Sequence, residues 1–237
     1  MPPTDPETEE STFNATDIAS AVLLAATGGL LDAIVYLDHG HVFANAMTGN
    51  VIFLAIALMQ GQWAQSLRHV VPLTAFLVGV VGARIIRTAP LRRSALMVLL
   101  LETLGLLGIG LLPAGFPQLA FTGIIAFVSA FQVATFRRVG RFTYNSTFVT
   151  GNLRMVAEGF FDWRFSPNPA LRAKGRAQAW KLGAICASFF VGALVGAFVA
   201  PRFPVHAVLF ALPPLVATVI LVMVSPTPAP EAAAARR

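Results

Sequence analysis

Charge and cysteine are both scarce in this chain. Only 12% of its 237 residues are Asp, Glu, Lys or Arg, about half of the roughly 25% that a soluble domain carries. A chain this poor in charge cannot cover itself with polar surface. Cys186 is the single cysteine and lies inside an apolar run, which excludes a disulfide framework and a cysteine-based metal site. No basic region precedes the first apolar run. The first sixteen residues carry Asp5, Glu7, Glu9 and Glu10 instead, and read as a disordered acidic tail rather than a secretory signal. A basic face interleaved with aromatics is missing as well. The formal charge of +6 therefore does not point to nucleic acid.

What remains is apolar. Hydrophobic residues make up 56% of the chain and the mean hydropathy is +0.72. Eight apolar segments stand out, at about 18–37, 42–59, 70–87, 95–112, 118–136, 145–160, 180–200 and 205–224. A spanning helix needs about 20 apolar residues. Six segments meet that length, whereas the second and sixth are shorter and interrupted by polar residues. Residues 225–237 are rich in Pro and Ala and read as a second disordered tail. The fold class expected is an all-α polytopic membrane protein with the lipid bilayer as its solvent.

The two short segments carry one motif. Thr48-Gly49-Asn50 recurs as Thr150-Gly151-Asn152, 102 residues later. Asn45 precedes the first triplet and Asn145 the second. Asp32 in the first segment has Gln132 as its counterpart in the fifth. Trp63 and Trp163 follow the triplets. Phe76-Leu77-Val78-Gly79 with Gly82 is answered by Phe189-Phe190-Val191-Gly192 with Gly196. Ordered matches of this kind indicate an internal duplication. The first repeat is residues 17–113 and the second 114–224, with the boundary near Pro113 to Pro117.

Basic residues test the topology. If all eight segments span, Lys and Arg divide nine to eight between the two sides. If both triplet segments enter and return on one side, they divide fifteen to two, as the positive-inside rule requires. Six spans plus two re-entrant broken segments follow, with both termini cytoplasmic. An odd number of spans per repeat makes a 3+3 inverted repeat, an arrangement of transporters.

Broken backbone at membrane depth marks a site. Gly49 and Gly151 are expected to break the helices. Asp32, Thr48, Asn50, Gln132, Thr150 and Asn152 are expected to line a site for a small solute or ion, with Asn45 and Asn145 behind them. The alternative is that these groups only cap the break and lock two helices together. Asp32 either binds a cation or carries a proton, or sits at the interface ahead of Asp38 and His39. Glu102, in the fourth span, is either a coupling carboxylate or a packing hydrogen bond. Asp38-His39-Gly40-His41 has the residue types of a metal ligand set, but the second repeat puts Arg137, Arg138 and Arg141 there, so an ordinary loop is the better reading. Neither metal nor cofactor is implied. Gly79, Gly82, Gly192 and Gly196 read as helix-packing seams that also allow a homodimer. The stretch 162–181, opened by Asn168-Pro169, is expected to hold a short helix on the inner membrane surface.

Gly29-Leu30-Leu31-Asp32-Ala33, Val42-Phe43-Ala44-Asn45-Ala46-Met47-Thr48-Gly49-Asn50 and the second Thr150-Gly151-Asn152 resemble the YoaK-like family of bacterial membrane proteins. The resemblance covers nearly the whole chain outside its tails. It implies a multi-pass protein of the bacterial inner membrane and brings no substrate with it. Passage of a small solute or ion is the leading function. A non-transporting membrane scaffold is the second class. A membrane-embedded enzyme, which would need a nucleophile and base within reach, is the third; no nucleophile motif is present, so the chain is not expected to be an enzyme.

Overall fold

The computed structural model describes residues 14–86, 91–113, 115–139 and 142–224. The tail over 225–237, and that over 1–16 as far as residue 13, lie outside them. The described residues form eight α-helices, in order α1 (Asn14–Asp38), α2 (Met47–Met59), α3 (Trp63–Ile86), α4 (Leu91–Gly110), α5 (Gln118–Thr135), α6 (Val149–Phe165), α7 (Pro169–Val199) and α8 (Leu212–Val224). Two short 3-10 helices, Ala200–Arg202 and His206–Ala211, join α7 to α8. A ladder of two-residue strands, β1 (Arg138–Val139) and β2 (Phe142–Thr143), pairs antiparallel between α5 and α6. That ladder is a small departure from the all-helical expectation.

Among the described residues five helices are long and apolar enough to cross a membrane: Ile18–Asp38, Trp63–Ile86, Gln118–Thr135, Pro169–Arg202 and His206–Val224. Met47–Met59 and Ser94–Gly110 are shorter apolar stretches. Large side chains such as Leu77, Ile85, Phe190 and Phe198 are exposed on the spans. In water they would form a patch no soluble monomer carries; against lipid they are solvated. The chain is a multi-pass membrane protein.

Backbone seams set the packing. Ser188 donates its hydroxyl to the Val22 carbonyl at 2.6 Å. A Cβ on Gly192 would strike the Ala26 carbonyl, and one on Gly196 would come within 2.5 Å of the Leu30 carbonyl. Residue numbers rise together along that seam, so α1 and α7 run parallel. On the other side, a Cβ on Gly123 would meet Val71 and one on Gly79 the Phe127 carbonyl, so α3 and α5 run parallel too. Both seams join a helix before the 113–117 linker to one after it. The two halves therefore interlock, and the glycines read as a possible dimer surface pack inside the chain instead.

Two hairpins complete the framework. Gly61, at φ +68°, turns α2 into α3, and Phe53 faces His69 across the pair at 5.6 Å between ring centroids. Gly159 and Gly175 bring α6 and α7 into backbone contact, and Gln178 donates to the Met155 carbonyl at 2.8 Å. Both hairpins are antiparallel. Asn168 caps α7 by accepting from the Ala170 N–H at 2.9 Å. The helix it starts is not the short surface element expected: it continues for 31 residues, because the run from Ala179 onward is uninterrupted by Pro and supplies an apolar surface.

Candidate functional site

α1 ends at Asp38, where Gly40 (φ +85°) and His41 (φ +58°) adopt left-handed backbone angles and reverse the chain. Residues 42–46 then pass back along α1. They form no regular element, so their polar groups need other partners. Asn50 supplies them. Its side-chain oxygen accepts from the Phe43 N–H at 2.9 Å, and its amide donates to the Phe43 carbonyl at 2.8 Å. One side-chain amide thus closes both backbone groups of a residue seven positions earlier.

The second triplet repeats this clasp. The Asn152 oxygen accepts from the Asn145 N–H at 3.3 Å and its amide donates to the Asn145 carbonyl at 2.7 Å. The clasp aligns Phe43 with Asn145, and hence Asn45 with Thr147. Asn145 is therefore not the structural partner of Asn45; its own side chain accepts from the Thr147 N–H and hydroxyl, each at 3.0 Å.

The two loops meet at Gly28 in α1. Asn45 donates its N–H to Asp32 Oδ1 at 2.7 Å and its side-chain amide to the Gly28 carbonyl at 3.4 Å. From the other loop, Thr147 Cγ2 lies where a Gly28 Cβ would be, at 2.8 Å, and the Ser146 carbonyl stands at 3.6 Å from the same point. Gln132, at the end of α5, donates to the Leu24 carbonyl at 3.1 Å and to the Ser146 hydroxyl at 3.0 Å. One loop thus lies against α1 from Gly28 to Asp32, and the other from Leu24 to Gly28.

Polar side chains here are deeply buried. Asp32 is 5% exposed, Asn45 1%, Gln132 2% and Asn50 fully buried. Three oxygens in this group lack a hydrogen-bond partner: Asp32 Oδ2, Asn45 Oδ1 and Gln132 Oε1. All are acceptors. Glu102 on α4 is fully buried and neither carboxylate oxygen has a partner. At the end of α1 a cavity of about 150 Å³ is lined by Asp38, His39, Phe116, Phe121 and Val205. His39 stacks on Phe121 at 3.8 Å, and burial pushes its imidazole down to about 4.

A family model described as "Protein of unknown function (DUF1275)" matches residues 20–223. The chain belongs to the DUF1275 family. Over 61 residues it is 38% identical to the UPF0700 transmembrane protein YoaK of Bacillus subtilis (strain 168), a stretch that makes up 26% of this chain and spans 27% of that relative's length. The resemblance read from the motif blocks is thereby borne out. No solved structure matches the fold.

Within this DUF1275 chain the expected site residues separate into two groups. Asp32, Asn45, Asn50, Gln132 and Asn152 are buried, and all but Asn152 and Asn50 bond directly to α1 or its loop contacts. Thr48, Thr150 and Gly151 are exposed. Thr and Asn of one triplet are two residues apart, or about 200° around a helix, so they face opposite ways. Gly49 and Gly151 do not break the helices: among the described residues only Gly40 and Gly61 are glycines with positive φ, and both triplets form the first turn of an unbroken helix. The irregular backbone lies before them. Gly28, Ser146 and Thr147 were missed as site residues. The repeated seven-residue spacing from Phe43 to Asn50 and from Asn145 to Asn152 was the signal, hidden because the partner groups are backbone and carry no residue type.

Proposed function

We propose that the protein is an integral transporter or channel-like protein for a small solute or ion, seated in the bacterial inner membrane with both termini cytoplasmic. The observation that carries this reading is the convergence of two irregular loops, from opposite ends of α1, on Gly28. Paired irregular segments at membrane depth are the best pointer to a transport site, since such backbone is tolerated only where protein or a cavity satisfies it.

Several contacts support six spans and two re-entrant segments. The side chain of Arg68, one turn and a half into α3, lies 3.5 Å from the point a Gly40 Cβ would occupy. The end of α1 and the start of α3 are thus at one level, and α2 begins beside Asp32 and returns to that level. α6 stands in the same relation to α7. With α4 counted as a span, the order α1, α3, α4 runs opposite to α5, α7, α8, as an inverted repeat would. The basic residues then fall fifteen to two in favour of one side. No catalytic step is assigned. A scaffold role is disfavoured by the seams, whose glycines have their partners within the chain.

Paired cysteine labelling tests the topology in a Cys186→Ser background. His41→Cys and Gln62→Cys should react from one side of the membrane, and Arg138→Cys and Pro167→Cys both from the other. Reaction of His41→Cys and Gln62→Cys from opposite sides would mean that α2 crosses, and the site would dissolve. Passage itself is tested with purified protein in liposomes, using a panel of ionic and neutral tracers. No tracer passing faster than through protein-free vesicles would count against transport.

A further inference from the structure

The solute follows from which polar atoms at the loop junction are left over. Donors there are committed: the Asn45 N–H bonds Asp32 Oδ1, the Ala44 and Ala46 N–H groups and the Asn45 side chain also face that carboxylate, the Asn45 amide reaches Gly28, and the Gln132 amide bonds Leu24 and Ser146. Acceptors are not: Asp32 Oδ2, Asn45 Oδ1 and Gln132 Oε1 stand without partners. A buried acceptor left unpaired costs free energy, and a buried carboxylate without a counter-charge costs more. A ligand that completes this set must bring positive charge or hydrogen-bond donors, and an anion or a carbonyl compound would only add to the surplus.

Asp32 has no resident counter-ion. No Lys or Arg is buried among the described residues. α2, α5, α8 and the loop 42–46 carry no titratable side chain, and α7 has only Cys186 between Lys181 and its end. The remaining titratable groups on elements packed against α1 are the exposed Arg138 in β1 and Arg202 in the first 3-10 helix, His206 in the second, and Tyr36, Asp38 and His39 on or just beyond α1 itself; the buried Glu102 lies on α4. His206 already contacts the Gly110 carbonyl at 2.7 Å. Among the described residues no group of three His, Cys, Asp or Glu could hold a metal ion, so the oxygen-only acceptors suit a hard monovalent cation rather than a transition metal.

We infer that the junction binds a monovalent cation of the alkali or ammonium class, held by Asp32 Oδ2 and Asn45 Oδ1, with Gln132 Oε1 the next acceptor beyond Gly28. Its passage rests on the transport reading above, whereas its binding does not. Protons compete for the same carboxylate, so binding weakens as pH falls.

The test is thermal unfolding of the full chain in detergent, followed by its tryptophan fluorescence, in sodium, lithium, potassium or ammonium chloride against choline chloride at equal ionic strength. At least one small cation should raise the midpoint in a saturable way. Below the titration of Asp32 its half-effect concentration should rise about tenfold per pH unit. Asp32→Asn, which keeps an acceptor for the Asn45 N–H, should abolish the dependence; the pH competition in the parent stands as the criterion if that variant does not fold. No cation effect relative to choline between pH 5 and 9 would overturn the inference, as would an effect that persists in Asp32→Asn. Flux of a neutral tracer that ignores both the cation and Asp32→Asn would leave transport standing and this inference fallen. Saturable binding without flux would do the reverse.

Discussion

Asn50→Ala isolates the loop clasp. The truncation removes two bonds, of 2.9 and 2.8 Å, and leaves the N–H and carbonyl of Phe43 unpaired between the fully buried Val42 and Ala44. Each buried backbone group left unpaired costs about 1–3 kcal/mol, so the loss is about 2–6 kcal/mol. For a chain of this length that lowers the unfolding midpoint by about 4–24 °C. Asn152→Ala removes the equivalent pair, but one of its bonds is 3.3 Å long, so its loss should be the smaller of the two. Thr48→Ala and Thr150→Ala change exposed side chains beside the same residues and should stay within about 0.5 kcal/mol of the parent. Thermal unfolding in detergent reads all four. If Asn50→Ala matched Thr48→Ala within a degree, the clasp would not hold the loop and the reasoning would be refuted.

Two further predictions concern the framework. Gly192→Ala puts a methyl group into the Ala26 carbonyl, which backbone cannot vacate without parting α1 from α7, and should abolish folding or cost several kcal/mol on the overpacking scale. Gly183→Ala, on the same helix with open space around it, should instead stabilise by about 0.5–1 kcal/mol. His39 is held neutral down to about pH 4 in the folded chain, whereas an unfolded imidazole takes a proton near pH 6.5. The unfolded state therefore binds more protons between those values. His39 should cost nothing above pH 6.5 and destabilise the fold progressively as pH falls from 6.5 towards 4. His39→Phe, which keeps the stack on Phe121, should flatten that part of the midpoint-against-pH curve.

Membrane class and the positions of the apolar segments were legible from the sequence, because lipid leaves the backbone no alternative to helix over a long apolar run. Asp32 and Gln132 were legible as a pair for a related reason: polar groups are rare in such runs, so each one that occurs stands out. Helix phase was harder. A tripeptide such as Thr48-Gly49-Asn50 does not reveal which of its residues faces inward until the start of the helix is fixed, and the start depended on a side chain reaching back seven residues to Phe43. The partners of the glycine seams were hidden for another reason. Gly79 and Gly192 advertise close approach, but nothing local says that each would meet a carbonyl from the opposite half of the chain.

That crossing of partners bears on how such a protein moves. If any part shifts as a rigid piece, the piece is α1 clamped to α7, or α3 clamped to α5, each assembled from both ends of the sequence. α1 and α5 touch only lightly. Residues 42–46, and residues 136–139 with 142–148, lie on two of the chain paths from one clamped pair to the other. A slide between the pairs would pull on both paths, and under the proposed transport reading the residues that grip a solute would be the same ones that flex as it leaves.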